Sequence, residues 1–501
     1  MHGQDTLPRL FRHVVQRAAA TVAMREKHLG IWRSITWREY GERARHVGPR
    51  AWWPWACGRA TWCPVIADNC PEWLYADLGT MSVGGVTNGI YTTDSARQVE
   101  YIVNDSGTRF FFAENEEQLD KILEVRARCP QLVKIVVFDT EGLHGFRDDQ
   151  VMPFEALPGA GRPLRARAPR RLRRDGGDRA AERPGHPRLH LRHHGAAQGR
   201  HAEPPQHHLP ARLRRLHRRP ARRATSSSPS CRCRHVAERT FTVFYPLRTG
   251  ATVNFAESID TVPENIREVA PAVFFAVPRI WEKFYSGVAL RMREATPAGQ
   301  ARLPLGPRRR HADGRAAHRG PAAAAGAAPA STAWPDFLVL DNVKRSLGLH
   351  RTRGAATGAA PIAPELIKWY LALGIDMREV YGQTENCGLG HRHAGRPHQA
   401  RHGGRARART PRWRSRPPGE IFAEGAARLP RLLQEPEQAR RRRWSTAGCA
   451  PGDVGAIDAD GFVRITDRMK DIIITAGGKN ITPVRASRTS SSSRPTSPTR
   501  W

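Results

Sequence analysis

Residues 378–388 read REVYGQTENCG. A strand-like run ends there in Tyr381-Gly382, and Gln383, Thr384 and Glu385 follow. The Tyr381 ring can stack on a base, and the Thr384 hydroxyl and Glu385 carboxylate are hard oxygens of the kind that suit Mg²⁺ and phosphate. By itself the string also reads as a polar loop after a strand. Its place at a strand's carboxyl end favours a ligand site, because open α/β sheets bind ligands there. A second block, ATGAAPIAPEL from Ala356 to Leu366, puts Gly358, Ala359 and Ala360 ahead of Pro361. That backbone is poor in side chains and lets a flat ring or a phosphate approach closely; alone, it reads more readily as a tight strand-to-helix turn. A third block runs from Gly452 to Pro483. Asp453 precedes a tight strand pair, where a carboxylate can take two ribose hydroxyls. Arg468 can meet a phosphate or ribose, Lys470 follows on a charged turn, and Gly477-Gly478 marks another turn. Taken singly, each of these charges is an ordinary surface residue.

The elements that must position these groups read as α/β. LPRLFRHVVQRAAA has helical apolar spacing and GIWRSITWREY alternates like a strand. DNCPEWLYADLGTMSVGGVTNGIY reads as a helix capped by Asp68 or Asn69, with Pro71 in its first turn, followed by a strand. TRFFFAEN, EEQLDKILEVRARCP and LVKIVVFD make a strand–helix–strand unit. GATVNFAES, PENIREVAP and AVFFAVP make another. An amphipathic helix at 364–377 leads into REVYGQTE. This grammar implies parallel sheets covered by helices. Residues 453–483 read as short strands with turns at Asp460-Gly461 and Gly477-Gly478.

Composition breaks this pattern in places. The 501 residues carry a formal charge of +34 and eight cysteines. From Arg165 to Ser230 there is no Lys, Ile, Val, Met, Phe, Tyr or Trp, so that tract holds too little apolar surface to offset ordering entropy. Similar texture near 45–62, 301–334 and 391–450 makes the chain a mosaic. Cys231, Cys233 and His235 are too closely spaced for an ordinary zinc site. The first twenty residues lack the apolar segment of a secretory leader, and no run of about 18 apolar residues could span a bilayer. The expectation is a reduced, cytoplasmic protein, with a peripheral contact to the inner membrane face left open.

Together the three blocks resemble the adenylate-forming superfamily of acyl-CoA synthetases, luciferases and nonribosomal adenylation domains. HVAERTF, NFAESIDTVPENIREV, FFAVPRIWEKFYSGV, EKHLGIWRSITWREY and DNCPEW are most similar to bacterial long-chain fatty-acid–CoA ligases. The resemblance covers somewhat more than half of the chain. It implies a large N-terminal AMP-binding domain of βαβ-derived sheets over 1–467, then a hinge and the cut-short start of a small α+β subdomain over 468–501. It implies ATP, Mg²⁺ and CoA as substrates and cofactor, with a fatty acid and no nucleic acid. Gly358, Ala359, Ala360, Pro361, Tyr381, Gly382, Gln383 and Thr384 would bind adenine and phosphates, Thr384 and Glu385 the metal, and Asp453 the ribose. Arg468 would precede the hinge at Lys470, Gly477 and Gly478 would lie near the pantetheine channel, and His235 near the acyl carboxylate.

One family motif is missing: the Ser/Thr/Gly-rich phosphate loop ending in Pro-Lys-Gly. At its expected place stands HLRHHGAAQGRHAEPPQHH. Back-translated from Leu189 and read one base later, this segment can spell FTSGTTGPPKGAMLSHHN, with Gln198-Gly199 admitting only Lys or Arg. The segment after Pro483, read two bases later, can spell PSIENELKFSPYITDAV. A frameshifted, GC-rich reading frame therefore accounts for the Arg-rich tracts and the +34 charge. Three readings follow: a fatty-acid–CoA ligase, or another acyl- or aryl-CoA ligase of the superfamily, impaired as written; a basic protein for nucleic acid or anionic membrane; and the inactive product of a damaged gene. The want of aromatic rings in the largest basic tract counts against nucleic acid.

Overall fold

The computed structural model describes residues 6–47, 61–157, 236–258, 260–294 and 333–382. It also describes strands at 189–192, 197–201, 225–226, 391–392, 412–416, 420–424, 431–432, 449–457, 463–468, 473–474 and 480–481. Continuous apolar runs form the centre of a five-stranded parallel sheet, in the order 86–90, 62–66, 110–113, 134–137, 151–153. Phe110–Ala113 is buried at every position, as expected for a strand covered on both faces. The crossovers are the helices Pro71–Ser82, Ala96–Ser106 and Glu116–Val125.

An eight-stranded sheet, parallel through its middle, runs in the order 391–392, 377–381, 354–358, 273–276, 225–226, 252–255, 22–28, 31–36. Its two outermost pairings are antiparallel. Thr225-Ser226 lies between Thr252–Phe255 and Val273–Ala276, so the strands of the second expected unit are next-but-one neighbours. That short strand belongs to the Arg-rich tract, as do Leu189–Arg192 and Ala197–His201, which pair antiparallel. A four-stranded antiparallel sheet follows, in the order 412–416, 420–424, 449–457, 463–468. The short strands Ile473-Ile474 and Asn480-Ile481 then pair with each other. Among the described residues no helix is long and apolar enough to cross a membrane.

Two local expectations are corrected. GIWRSITWREY is a strand only as far as Thr36. There the Thr36 hydroxyl accepts from the Glu39 amide and the Glu39 carboxylate accepts from the Thr36 amide, starting a helix over Trp37–Arg45. This reciprocal box outweighs the alternating pattern. The helix at Pro71 is entered through Cys70, which makes no side-chain cap bond. Asp68 instead receives the hydroxyl of Thr92.

One apolar core runs beneath both large sheets, joining Val65 and Phe112 of the first to Phe274 and Phe275 of the second. The helices Trp37–Arg45 and Pro71–Ser82 meet where Gly79 lets backbone approach backbone. A Cβ at Gly79 would lie 2.5 Å from the Ala44 carbonyl oxygen and 2.7 Å from Val47 Cβ. Gly79→Ala is therefore expected to lower stability by about 1–3 kcal/mol through overpacking, read as a shift in the urea midpoint.

Candidate nucleotide site

Parallel strands deliver their carboxyl ends side by side, and two of the three sequence blocks meet there. Gly354–Gly358 and Met377–Tyr381 are adjacent, with Thr357 opposite Glu379 and Gly358 opposite Val380. Gly358 is needed for the fit, because a Cβ would stand 2.6 Å from the Val380 carbonyl oxygen. Ala359 then turns the chain with φ +70°, a left-handed conformation that costs a residue with a Cβ about 1–2 kcal/mol. Ala359 and Pro361 are exposed, and Ala360 is partly so. The helix Pro364–Ala372 carries the chain away.

Tyr381 joins this edge to the four-stranded sheet. Its ring packs on the small core formed by Ile421 and Val463. Its hydroxyl donates to Asp453 Oδ2 at 2.6 Å. Asp453 is only 4% exposed; on its strand it pairs with Ile421 on one side and Arg468 on the other. The third block is thus brought to the first two across 72 residues. Gly382 is exposed at the same edge. His235, Gln383, Thr384, Glu385, Lys470, Gly477 and Gly478 lie outside the described residues. The oxygens assigned to Mg²⁺ are among these, and no cluster of three or more metal-ligating side chains occurs among the described residues.

Glu379 was not singled out from sequence, since a lone carboxylate in a strand reads as a surface charge. It lies two residues before Tyr381 on the same strand. Burial raises its pKa to about 7, and the backbone N–H of Ile362 opposes that shift.

Next to His235, the HVAER block is held from the other sheet. The Val236–Arg239 helix runs through a π-helical turn, Thr240–Phe244, into Tyr245–Thr249. The Arg239 Nη2 donates to both carboxylate oxygens of Asp77 at 2.6 Å. The two side chains are 2% and 0% exposed, and the guanidinium lies 5.4 Å from the Trp73 ring centroid. Because Asp77 belongs to the Pro71–Ser82 helix, this pair fastens one sheet's helical layer to the other's. It was missed because its partners are 162 residues apart.

A relative from Xenopus laevis, a long-chain-fatty-acid–CoA ligase, is 24% identical over 520 residues; the match covers 96% of this chain and 65% of the relative. A Gallus gallus ligase of the same description is 25% identical and is covered to 63%. The chain thus spans less than two thirds of the length of these relatives. Among solved structures, the A-PCP didomain of carboxylic acid reductase from Segniliparus rugosus, in complex with AMP, superposes with a TM-score of 0.66 at 16% identity, covering 95% of this chain and 67% of that one. The likeness shows a shared fold. The profile of the AMP-binding enzyme family matches residues 11–158 and 230–411, well over half of the chain, and skips the Arg-rich stretch between them. The chain belongs to the AMP-binding enzyme family.

Proposed function

We propose that the chain descends from, and retains the nucleotide half of, a long-chain fatty-acid–CoA ligase. The reaction joins a fatty acid to CoA through an acyl-adenylate. A carboxylate oxygen bonds to the α-phosphorus of ATP as the bond to the pyrophosphate oxygen breaks. The CoA thiol sulfur then bonds to the acyl carbon, and AMP leaves with the electron pair. The observation that carries this reading is the Tyr381–Asp453 hydrogen bond at the carboxyl edge of the sheet, beside the Gly358–Pro361 turn. There the turn backbone receives the purine, and Asp453, held in place by the phenol, accepts the ribose hydroxyls. Thr384 and Glu385 supply hard oxygens that suit Mg²⁺. The long-chain acid is the substrate class of the named relatives and is the part of the proposal that rests on them.

AMP titrated into the chain by calorimetry tests this reading. Asp453→Ala is expected to weaken binding roughly 10–100-fold, the worth of hydrogen bonds to a charged acceptor. Tyr381→Phe keeps the ring and removes only the tether, for a loss of roughly two- to tenfold. Equal affinity in all three proteins would remove Asp453 from the ribose role.

The proposal extends to residues 189–206. The family match stops at 158 and resumes at 230, which supports the reading that this segment is a phosphate loop in a shifted frame. The encoding DNA should then be open across this segment in the next frame and should specify Lys or Arg at Gln198-Gly199. A stop codon in that frame would end the frameshift explanation.

A further inference from the structure

Residues two apart on a helix do not share a face, and the segment that starts at Val236 uses two of its sides. On one, Arg239 is held by Asp77 of the first sheet's helical layer. On another, within the π-helical turn, Phe241 lies flat against Phe275 of the strand Val273–Ala276, with ring centroids 4.8 Å apart and planes at 15°. Both rings are buried. Successive side chains of a strand leave by opposite faces. Phe274 accordingly turns to Trp281 and Phe284 of the helix Pro278–Arg293, and Phe275 turns to the segment that carries Phe241. Phe275 pairs in register with Ala356, and two residues on, Gly358 lies on the same face. A Cβ at Gly358 would stand 3.5 Å from Phe275 Cε2 and 3.0 Å from Val380 Cγ2. The phenyl edge therefore backs the last strand residue before the left-handed Ala359, where pairing with the neighbouring strand ends at Gly358–Val380. Stacked rings are ordinary core packing. What distinguishes this pair is that its far edge ends against a glycine, so that backbone takes the contact. A shift of either ring is passed to the turn with no side chain between them to absorb it.

We propose that Phe241 is a positioning residue for the nucleotide: stacked on Phe275, it holds that ring against Gly358 and so fixes the Gly358–Pro361 turn in the shape that receives the purine. This rests on the nucleotide reading above. Phe241 touches Phe275 and not the nucleotide, so its effect on affinity comes through preorganisation. The same segment is fastened two residues earlier at Arg239, which gives the Phe241 ring a fixed base to bear from.

The test uses the full chain and AMP as probe, in a double-substitution cycle. Calorimetric AMP affinity and the urea midpoint are measured for the unsubstituted protein, Phe241→Leu, Phe275→Leu and the two together. Leucine keeps an apolar side chain and removes the flat face. F241L is expected to weaken AMP binding about two- to tenfold, the worth of a well-stacked aromatic pair, and F275L by at least as much. In the F275L background, Phe241→Leu should cost no further affinity, because the ring it acts through is gone. A merely structural role would lower the urea midpoint in every variant and leave the AMP affinity of the folded protein unchanged. If F241L does not fold, Phe241→Met, whose flexible side chain fills irregular space, takes its place with the same expectations. AMP affinity in F241L equal to that of the unsubstituted chain, or losses that simply add in the double variant, overturns the positioning role while leaving the nucleotide reading standing. Absence of AMP binding by the unsubstituted chain overturns both.

Discussion

Arg239→Met is expected to lower folding stability by about 3–5 kcal/mol, measured by urea denaturation, because it strands a buried carboxylate without its partner. The Asp77 side chain is wholly inaccessible and both its oxygens accept from the guanidinium that the substitution deletes. Burial already pushes the Asp77 carboxyl above its ordinary range, and Arg239 opposes that push. Without Arg239 the folded state keeps Asp77 protonated to a higher pH than the unfolded chain does. Between the unfolded value of about 3.9 and the raised folded value, the folded state binds more protons, so stability must fall as pH rises. The R239M variant should therefore be least impaired near pH 4 and lose stability through neutral pH, more steeply than the unsubstituted chain. Replacing both partners, Asp77→Leu with Arg239→Met, should recover much of the loss, since an ion pair exchanged for apolar volume is often neutral. A single-variant cost below about 1 kcal/mol, typical of exposed pairs, would show that the clamp is not dry in solution.

How far these features could be read from the chain depends on the range of the physics behind each. Phe110–Ala113, Lys134–Val137 and Val273–Ala276 were legible as strands because burial on both faces leaves a continuous apolar run. The helix at Trp37 was equally legible in Thr36 and Glu39, a local signal overlooked in favour of alternation. Tyr381 and Asp453 could be nominated singly, by resemblance, but nothing in their local context says that one hydroxyl meets the other's carboxylate. Asp77, in a helix, and Glu379, in a strand, look like solvated charges until folding removes the water around them. The central strand Thr225-Ser226 has no apolar pattern at all. Its pairing with Thr252–Phe255 and Val273–Ala276 comes from its neighbours, which a one-dimensional pattern does not contain.

Replacing residues 189–206 by FTSGTTGPPKGAMLSHHN is expected to raise the rate of acyl-adenylate formation by at least about 10²–10³, the usual worth of even one preorganised donor at a developing charge. In the chain as it stands, Leu189–Arg192 and Ala197–His201 form an antiparallel pair with Leu189 opposite Arg200 and Arg192 opposite Ala197. A ladder of that kind spends backbone N–H groups on the facing strand. A phosphate-binding loop must leave successive N–H groups pointing into one concavity, which needs glycine-rich, unpaired backbone and a lysine aimed at the β- and γ-phosphates. Neither requirement is met by a paired strand ending in His190, Leu191 and Arg192. Arginine is not a substitute in kind, because its planar fork and a compact ammonium make different contacts. Adenylation builds negative charge on a phosphate held in line with the attacking carboxylate, so losing these donors should slow the step itself while leaving AMP affinity, which we propose rests on Tyr381 and Asp453, largely intact. Pyrophosphate release with palmitate, beside AMP calorimetry on the same two proteins, separates the two effects. A rate unchanged by the replacement, with AMP still bound, would mean that the nucleotide half alone survives and that catalysis fails, or succeeds, for a reason other than this loop.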